Sequence, residues 1–221
     1  MVTYLIKGGP IMIPIVLCSV AAGAFVVIAW ARLKEASKNP GRTIYEINQA
    51  IQQRNWAKVT QILNQTAHPF LQSWQAGFHL LIEGKSDLRN IEEAVSIEGS
   101  KTLAQLESPL KKLGALITIL PMLGFLGTIM GLIMSFETWE RLGSQVSISQ
   151  LAGGIYQAMI TTAAGLIAAI PYHLIYHFFT ARIEKLALGF SRETTDLFRK
   201  IRDALIQEIP MEPEPVLTSK S

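Results

Sequence analysis

Three long stretches without a charged side chain constrain this chain more than any other feature. No Asp, Glu, Lys or Arg occurs in 8–31, 113–136 or 142–181, which are 24, 24 and 40 residues long. A helix needs about 20 apolar residues to cross roughly 30 Å of hydrocarbon. Charged residues make up only 17% of the 221 residues, whereas soluble domains carry about a quarter. The pattern predicts an all-α integral membrane protein with three transmembrane helices.

The limits of the spans follow from hydropathy and from turn-forming residues. We predict spans at 11–31, 113–136 and 151–179, because 143–150 is polar and contains Gly and so leaves room for one long third helix. The first span also fits a secretory signal peptide, since the sequence at 29–31 mimics a cleavage site. Its apolar run exceeds the usual ~7–15 residues, and basic residues follow it directly, which favours an uncleaved anchor.

The Lys and Arg residues beside the spans predict their orientation. Ten of them lie on one side: Arg32, Lys34, Lys38, Arg42, Lys101, Lys111, Lys112, Arg182, Lys185 and Arg192. The other side, residues 1–10 and 137–150, has only Lys7 and Arg141. Because basic loops stay in the cytoplasm, residues 32–112 and the C-terminus are predicted inside and the N-terminus outside.

The cytoplasmic segment 32–112 is predicted to be helical, because apolar residues recur in it at helical spacing. Asn55-Trp56 marks a turn between two short helices, and Gly84 and Ser86 mark the end of a longer one that begins near Pro69. The pattern from Leu88 continues into the second span, so both later spans are predicted to extend into a cytoplasmic helical bundle. The bundle includes the helix at 180–208, and the proline-rich tail 209–221 is predicted to be disordered.

Several functional classes are disfavoured by the same residues. Cys18 is the only cysteine, so no disulfide framework can form within the chain. No phosphate loop, nucleophile elbow or metal-ligand cluster occurs, so we expect neither an enzyme nor a bound cofactor or metal. A net charge of only +3, with basic residues flanking apolar runs, indicates contact with lipid headgroups rather than nucleic acid. Trp56 and Trp74 are interpreted as core residues.

Small residues recur on one face of each of the last two spans. They are Gly124, Gly127 and Gly131 in the second span, and Gly154, Ala158, Thr161 or Thr162, Gly165 and Ala169 in the third. Small residues at three- or four-residue spacing let helix backbones approach closely in lipid. One chain does not easily bury two such stripes, so we expect a homo-oligomer or a helical partner.

The polar residues within the spans are few. A lone Thr is explained by a hydrogen bond to its own helix, but Thr128 and Thr162 both lie beside the small-residue faces, which indicates a narrow polar path. His173 and His177 share a helix face, and interfacial hydrogen bonding is favoured for them over a metal site. Proton transfer across a membrane generally uses an ionisable relay. No span has a carboxylate, so a proton-bearing carboxylate would have to come from another subunit.

Two long motifs resemble signatures of the MotA/TolQ/ExbB proton-channel family. The second span contains LPMLGFLGTIMG at 120–131, and the third contains GIYQA at 154–158 followed by TAAGLIAAIP at 162–171. Three spans rather than four resemble the ExbB/TolQ branch more than the flagellar MotA branch. By this resemblance the pore threonines of the family fall on Thr128 and Thr162. The family's intramembrane Glu falls on Gln157, which cannot carry a proton.

The resemblance implies a homopentamer in the bacterial inner membrane. It would surround the helix of a single-span, ExbD/TolR-like partner whose Asp accepts the proton, and it would energise a periplasm-spanning, TonB/TolA-like protein. The alternative, favoured by Gln157, is a structural scaffold that organises a partner without conducting. A solute-permease subunit is a third hypothesis, but the spans have neither a midplane charge nor evident helix breaks for a substrate.

Overall fold

The computed structural model describes residues 7–82 and 87–206, and its regular secondary structure in these ranges is helical throughout. The helices are α1 Met12–Ala36, α2 Gly41–Gln52, α3 Trp56–Gln65, α4 Pro69–Ile82, α5 Leu88–Leu142 and α6 Ile148–Ile206, with a 3₁₀ turn at Gly143–Gln145. The predicted helix end at 84–86 and the tail 209–221 lie outside the described residues.

The three-span fold class is confirmed. The chain has three helices that are long and apolar enough to cross a membrane, and they correspond to α1, α5 and α6. The second and third of these continue well past the predicted spans, since α5 begins at Leu88 and α6 ends at Ile206. The connection between them is shorter than 137–150, because α5 continues to Leu142 and α6 begins at Ile148.

The predicted turn at Asn55 separates α2 from α3. Arg54 has a left-handed φ of 54°, which reverses the chain after α2. The side-chain oxygen of Asn55 then accepts a hydrogen bond from the Lys58 N–H at 3.0 Å and caps α3. This cap supplies a partner for one of the free N–H groups at the start of the helix, which explains the choice of Asn at this position.

The described residues form two compact units. One consists of residues within 35–102 and 186–221, and its core is built around Trp74, which is 1% exposed. The indole N–H of Trp74 donates to Thr194 Oγ1 at 2.9 Å, and Phe70 stacks on Phe190. The interpretation of Trp74 as a core residue is therefore confirmed, and Trp56 packs against the same cluster.

The other unit contains the apolar part of the three long helices, from residues within 1–34 and 103–185. Met12 and Ile15 of α1 pack with Leu120 of α5 and Ala169 of α6 in a small buried cluster. The Tyr172 hydroxyl donates to the Ser19 carbonyl at 2.8 Å and joins α6 to α1. This unit holds all the residues that the sequence marks as candidates for an ion path.

His68, in the connection before α4, is a partly buried titratable residue of the unit that contains Trp74. Burial lowers the pKa of His68 below its ordinary 6.5, while the nearby backbone of Ala36 and Lys38 acts in the opposite direction. Both ring nitrogens are buried without a hydrogen-bond partner among the described residues. The folded chain therefore favours the neutral ring.

We predict that this unit is fully stabilised above about pH 6.5 and loses stability as the pH falls below it, because the unfolded chain then binds a proton more readily. Hydrogen exchange of α3 and α4 at pH 8 and pH 5.5 measures the effect. His68→Gln should reduce the difference between the two pH values, whereas His79→Gln, which alters an exposed side chain, should leave it intact. An unchanged difference in His68→Gln would contradict the assignment.

Candidate functional site

The small-residue stripes of α5 and α6 face each other within one chain. A Cβ built on Gly131 would lie 2.5 Å from the Gly154 carbonyl oxygen, and a Cβ built on Gly154 would lie 2.5 Å from the Gly131 carbonyl oxygen. Each glycine therefore leaves the space that the other's backbone fills. Contacts of this kind bring Cα hydrogens to carbonyl oxygens and hold helices together where lipid gives no hydrophobic driving force.

The close contact continues along the two antiparallel helices. A Cβ on Gly165 would lie 2.6 Å from the Leu120 carbonyl oxygen, and one on Gly124 would lie 3.0 Å from the Thr161 carbonyl oxygen. Gly127 lies against the side chain of Thr161. From Leu120 to Gly131 the contact extends over 12 residues, or about 16 Å of helix.

The small-residue stripes of α5 and α6 do not need a second chain to cover them. The two stripes were expected to need a second chain, but Ala158 lies against Gly131 and the stripes bury each other within the chain. Ala169, at the end of the third-span stripe, is also buried, in the cluster with Met12 of α1. The stripes therefore do not by themselves require an oligomer. Any contact between chains has to use the outer faces of the helices.

The two candidate threonines are placed differently. The Thr162 hydroxyl donates across the helix pair to the Gly124 carbonyl at 3.0 Å. The Thr128 hydroxyl donates to the Phe125 carbonyl of its own helix at 2.6 Å. Each hydroxyl has one hydrogen, and in both cases it is already used. What remains available on each is an oxygen lone pair, so both threonines can only accept a further hydrogen bond.

Two further polar residues, Thr161 and Ser135, lie at this contact. Thr161 is fully buried and donates to the Ala158 carbonyl at 2.8 Å. The Ser135 hydroxyl lies within 3.1 Å of both the Gly131 and the Leu151 carbonyl oxygens. The sequence signal for Ser135 is its position four residues after Gly131, which continues the stripe of α5 by one helical turn.

Gln157, which stands where the resemblance implies a Glu, lies against the turn before α1. Its side-chain amide occupies the position where Gly9 would carry a Cβ. Gly9 also has a left-handed φ of 71°, so this turn favours glycine for two reasons. The Lys7 ammonium lies 5.5 Å from the centre of the Tyr156 ring, next to Gln157. The amide of Gln157 therefore packs against the chain's own N-terminal turn.

The histidine pair near the end of the third span is in direct contact. The Nε2 atoms of His173 and His177 lie 3.1 Å apart, as expected for a hydrogen bond in which one ring donates and the other accepts. The rings are nearly perpendicular, at 79°. The two rings are therefore each other's hydrogen-bond partner, and the interfacial hydrogen bonding expected for them stays a prediction.

Comparison with known proteins places the chain in a family. The family model described as "MotA/TolQ/ExbB proton channel family" matches residues 59–192, which include both close-packed stripes and both candidate threonines. The chain belongs to this family. The match also includes most of α3, all of α4 and residues 180–192 of α6 beyond the third span, so it extends well past the apolar motifs that suggested the resemblance.

Individual relatives carry the names of the ExbB/TolQ branch. The chain is 33% identical over 99 residues to the Tol-Pal system protein TolQ of Pseudomonas aeruginosa, covering 45% of this chain and 42% of that protein. It is 30% identical over 181 residues to the putative biopolymer transport protein ExbB-like 1 of Synechocystis, covering 77% of this chain and 67% of that protein. It is 35% identical over 101 residues to the biopolymer transport protein ExbB of Aquifex aeolicus, covering 44% of this chain and 68% of that protein.

The helix contact predicts opposite effects for two adjacent glycines. Gly154→Ala should destabilise the chain by roughly 1–3 kcal/mol, because its Cβ would meet the Gly131 carbonyl and the Ser135 hydroxyl. Gly153→Ala is the matched control, since nothing lies within 4 Å of its added Cβ, and it should be neutral or stabilising by up to about 1 kcal/mol. Thermal unfolding in detergent measures both. Equal stability of the two variants would contradict the packing.

Proposed function

We propose that the chain is the ExbB-like subunit of a proton-driven motor in the bacterial inner membrane. Several copies would form a shell around the helix of a single-span, ExbD/TolR-like partner, and the Asp of that helix would accept the proton. Movement of the partner would energise a TonB/TolA-like protein that reaches across the periplasm, for transport at the outer membrane. The observation that carries this proposal is the close-packed α5–α6 pair with Thr128 and Thr162 on it, in a chain of this family.

The outer faces of the helices support assembly into a shell. With the glycine stripes buried inside the chain, the exposed positions of the apolar segments carry large side chains. On α5 they include Met122, Phe125, Leu126 and Ile129, and on α6 they include Met159, Leu166, Ile167 and Ile170. In a membrane these faces meet either lipid or other helices. Contacts between copies and with the partner are proposed to use part of them.

The chemistry of the two threonines supports a path for protons that needs a partner. Spans two and three contain no carboxylate, so the chain itself offers no acidic relay there. Each threonine hydroxyl already donates its hydrogen to a carbonyl and can only accept another bond. An acceptor of this kind stabilises a protonated carboxyl or a water chain. It therefore complements a partner's Asp that takes up and releases a proton.

The position of Gln157 supports a second candidate function, a non-conducting scaffold. The amide cannot carry a proton, and it packs against the turn at Gly9. In a scaffold the same α5–α6 pair would hold the partner helix without passing ions. The two functions differ in one measurable property, which is proton flux through the assembled complex.

Flux into liposomes that contain the chain with its partner tests the leading proposal. Thr128→Val and Thr162→Val should each lower the flux about 5–100-fold, because loss of the accepting oxygen leaves the O–H of a protonated carboxyl or water without a partner, which costs about 1–3 kcal/mol. Thr118→Val is the matched control, since its hydroxyl bonds to its own helix at Gly114 on an exposed face. Thermal unfolding of Thr162→Val is measured alongside, because that variant also loses the bond to Gly124.

Full flux in both threonine variants would contradict the pore assignment. Absence of flux in the unaltered complex, with the partner still bound, would favour the scaffold. In that case Gln157→Glu is the informative variant. Appearance of proton flux in Gln157→Glu would assign the absence of flux in the unaltered complex to this one side chain.

The orientation of the helices is proposed from the distribution of Lys and Arg, with the N-terminus in the periplasm and the C-terminus in the cytoplasm. Cys18 is the only cysteine, so Cys18→Ser gives a background for labelling single cysteines. Ser144→Cys, between α5 and α6, should react with a membrane-impermeant maleimide in spheroplasts. Ser191→Cys, which is also exposed in the chain, should react only after lysis. The reverse pattern would overturn the orientation.

A further inference from the structure

His173 and His177 form a cluster that the proposed function does not use. They lie one turn apart on α6, their Nε2 atoms are 3.1 Å apart, and both side chains are exposed. Tyr176 lies beside them, with its ring 5.5 Å from that of His177. The two rings are therefore close together on the outer surface of α6, near the predicted end of the third span at 179.

The separation of the two nitrogens suits a metal ion. Zn²⁺ binds imidazole nitrogen at about 2.0–2.1 Å, so a metal bound to two nitrogens 3.1 Å apart would subtend an angle of roughly 98° between them. This angle lies between the octahedral and the tetrahedral values. The present hydrogen bond puts a proton on one Nε2. Transfer of that proton to Nδ1 of the same ring, by exchange with water, leaves both Nε2 lone pairs free without a change in charge.

We propose that His173 and His177 bind a divalent transition-metal ion such as Zn²⁺, Ni²⁺ or Cu²⁺ through their Nε2 atoms. Imidazole suits these metals, whereas Mg²⁺ and Ca²⁺ prefer oxygen ligands, and residues 142–181 contain no carboxylate. Among the described residues no group of three or more His, Cys, Asp or Glu side chains is placed to share a metal ion. Water therefore completes the coordination.

The site lies on the same side of α6 as Thr162. His173 follows Thr162 by eleven residues, which places it about 20° around the helix and ~16 Å along it. A metal ion held there adds a fixed positive charge on the face that carries Thr162. Binding of the metal does not depend on the proposed function. Inhibition of proton flux by the bound metal does rest on it.

Metal binding is tested on the full-length chain in detergent, with any histidine tag removed. Zn²⁺ titration by calorimetry should give one site per chain, and Cu²⁺ should give a spin-resonance spectrum with two nitrogen ligands. His173→Gln and His177→Gln should each weaken Zn²⁺ binding about tenfold or more, equivalent to about 1.4 kcal/mol. His79→Gln, an exposed histidine on α4, should have no effect.

A second control keeps the number of histidines and changes only their spacing. His177→Gln combined with Phe178→His places the two rings five residues apart and off a shared face, and it should bind as weakly as His177→Gln alone. Unchanged binding in either single-histidine variant, or in the spacing variant, would overturn the proposal. Loss of binding in His79→Gln would overturn it as well.

Zn²⁺ inhibition of proton flux separates this inference from the proposed function. If the complex conducts, Zn²⁺ should lower the flux in the unaltered chain and have at least about tenfold lower potency when both histidines are Gln. Equal potency of Zn²⁺ on the unaltered chain and on the double His→Gln variant would refute inhibition of proton flux through this site. If the complex does not conduct, the proposed function fails while the binding result still decides the metal site.

Discussion

The backbone contact between α5 and α6 is the constraint on which the rest of the apolar unit depends. Gly131 and Gly154 each place a carbonyl oxygen where the other would carry a Cβ. Within a bilayer the hydrophobic effect does not draw helices together, so close packing and weak Cα–H···O contacts replace it. A methyl group added to either glycine would meet the backbone of the other helix. Backbone atoms move less easily than the end of a flexible side chain.

This contact decides how the polar groups of the spans are used. Hydroxyls at Thr128, Ser135, Thr161 and Thr162 all donate to backbone carbonyls, either across the helix pair or within one helix. In lipid an unsatisfied donor is costly, so this pairing stabilises the unit. It also restricts the chemistry of the threonines to accepting hydrogen bonds. The same bonds that hold the helices together therefore define what the proposed path can offer to a proton carrier.

Much of the architecture was predictable because it is local. Charge-free stretches identify the three apolar helices, and apolar spacing identifies the shorter helices, including the turn at Asn55. The continuation of α5 and α6 beyond the spans follows from helical periodicity that does not stop at the membrane boundary. The family could also be inferred from sequence, because the motifs in the second and third spans are long and contain Gly and Thr in a specific order. The exact length of the connection after Leu142 was not predictable, because helix ends depend on small local energies.

The sequence by itself determined that the chain is a three-span helical membrane protein of this family, since hydropathy and small-residue spacing are properties of single helices. Only the tertiary structure decided which surface each stripe meets. The stripe of Gly124 pairs with that of Gly165 inside the chain, Gln157 packs against the turn at Gly9, and His173 contacts His177 through Nε2. Spacing shows that residues share a face, but the partner of that face depends on how the helices pack.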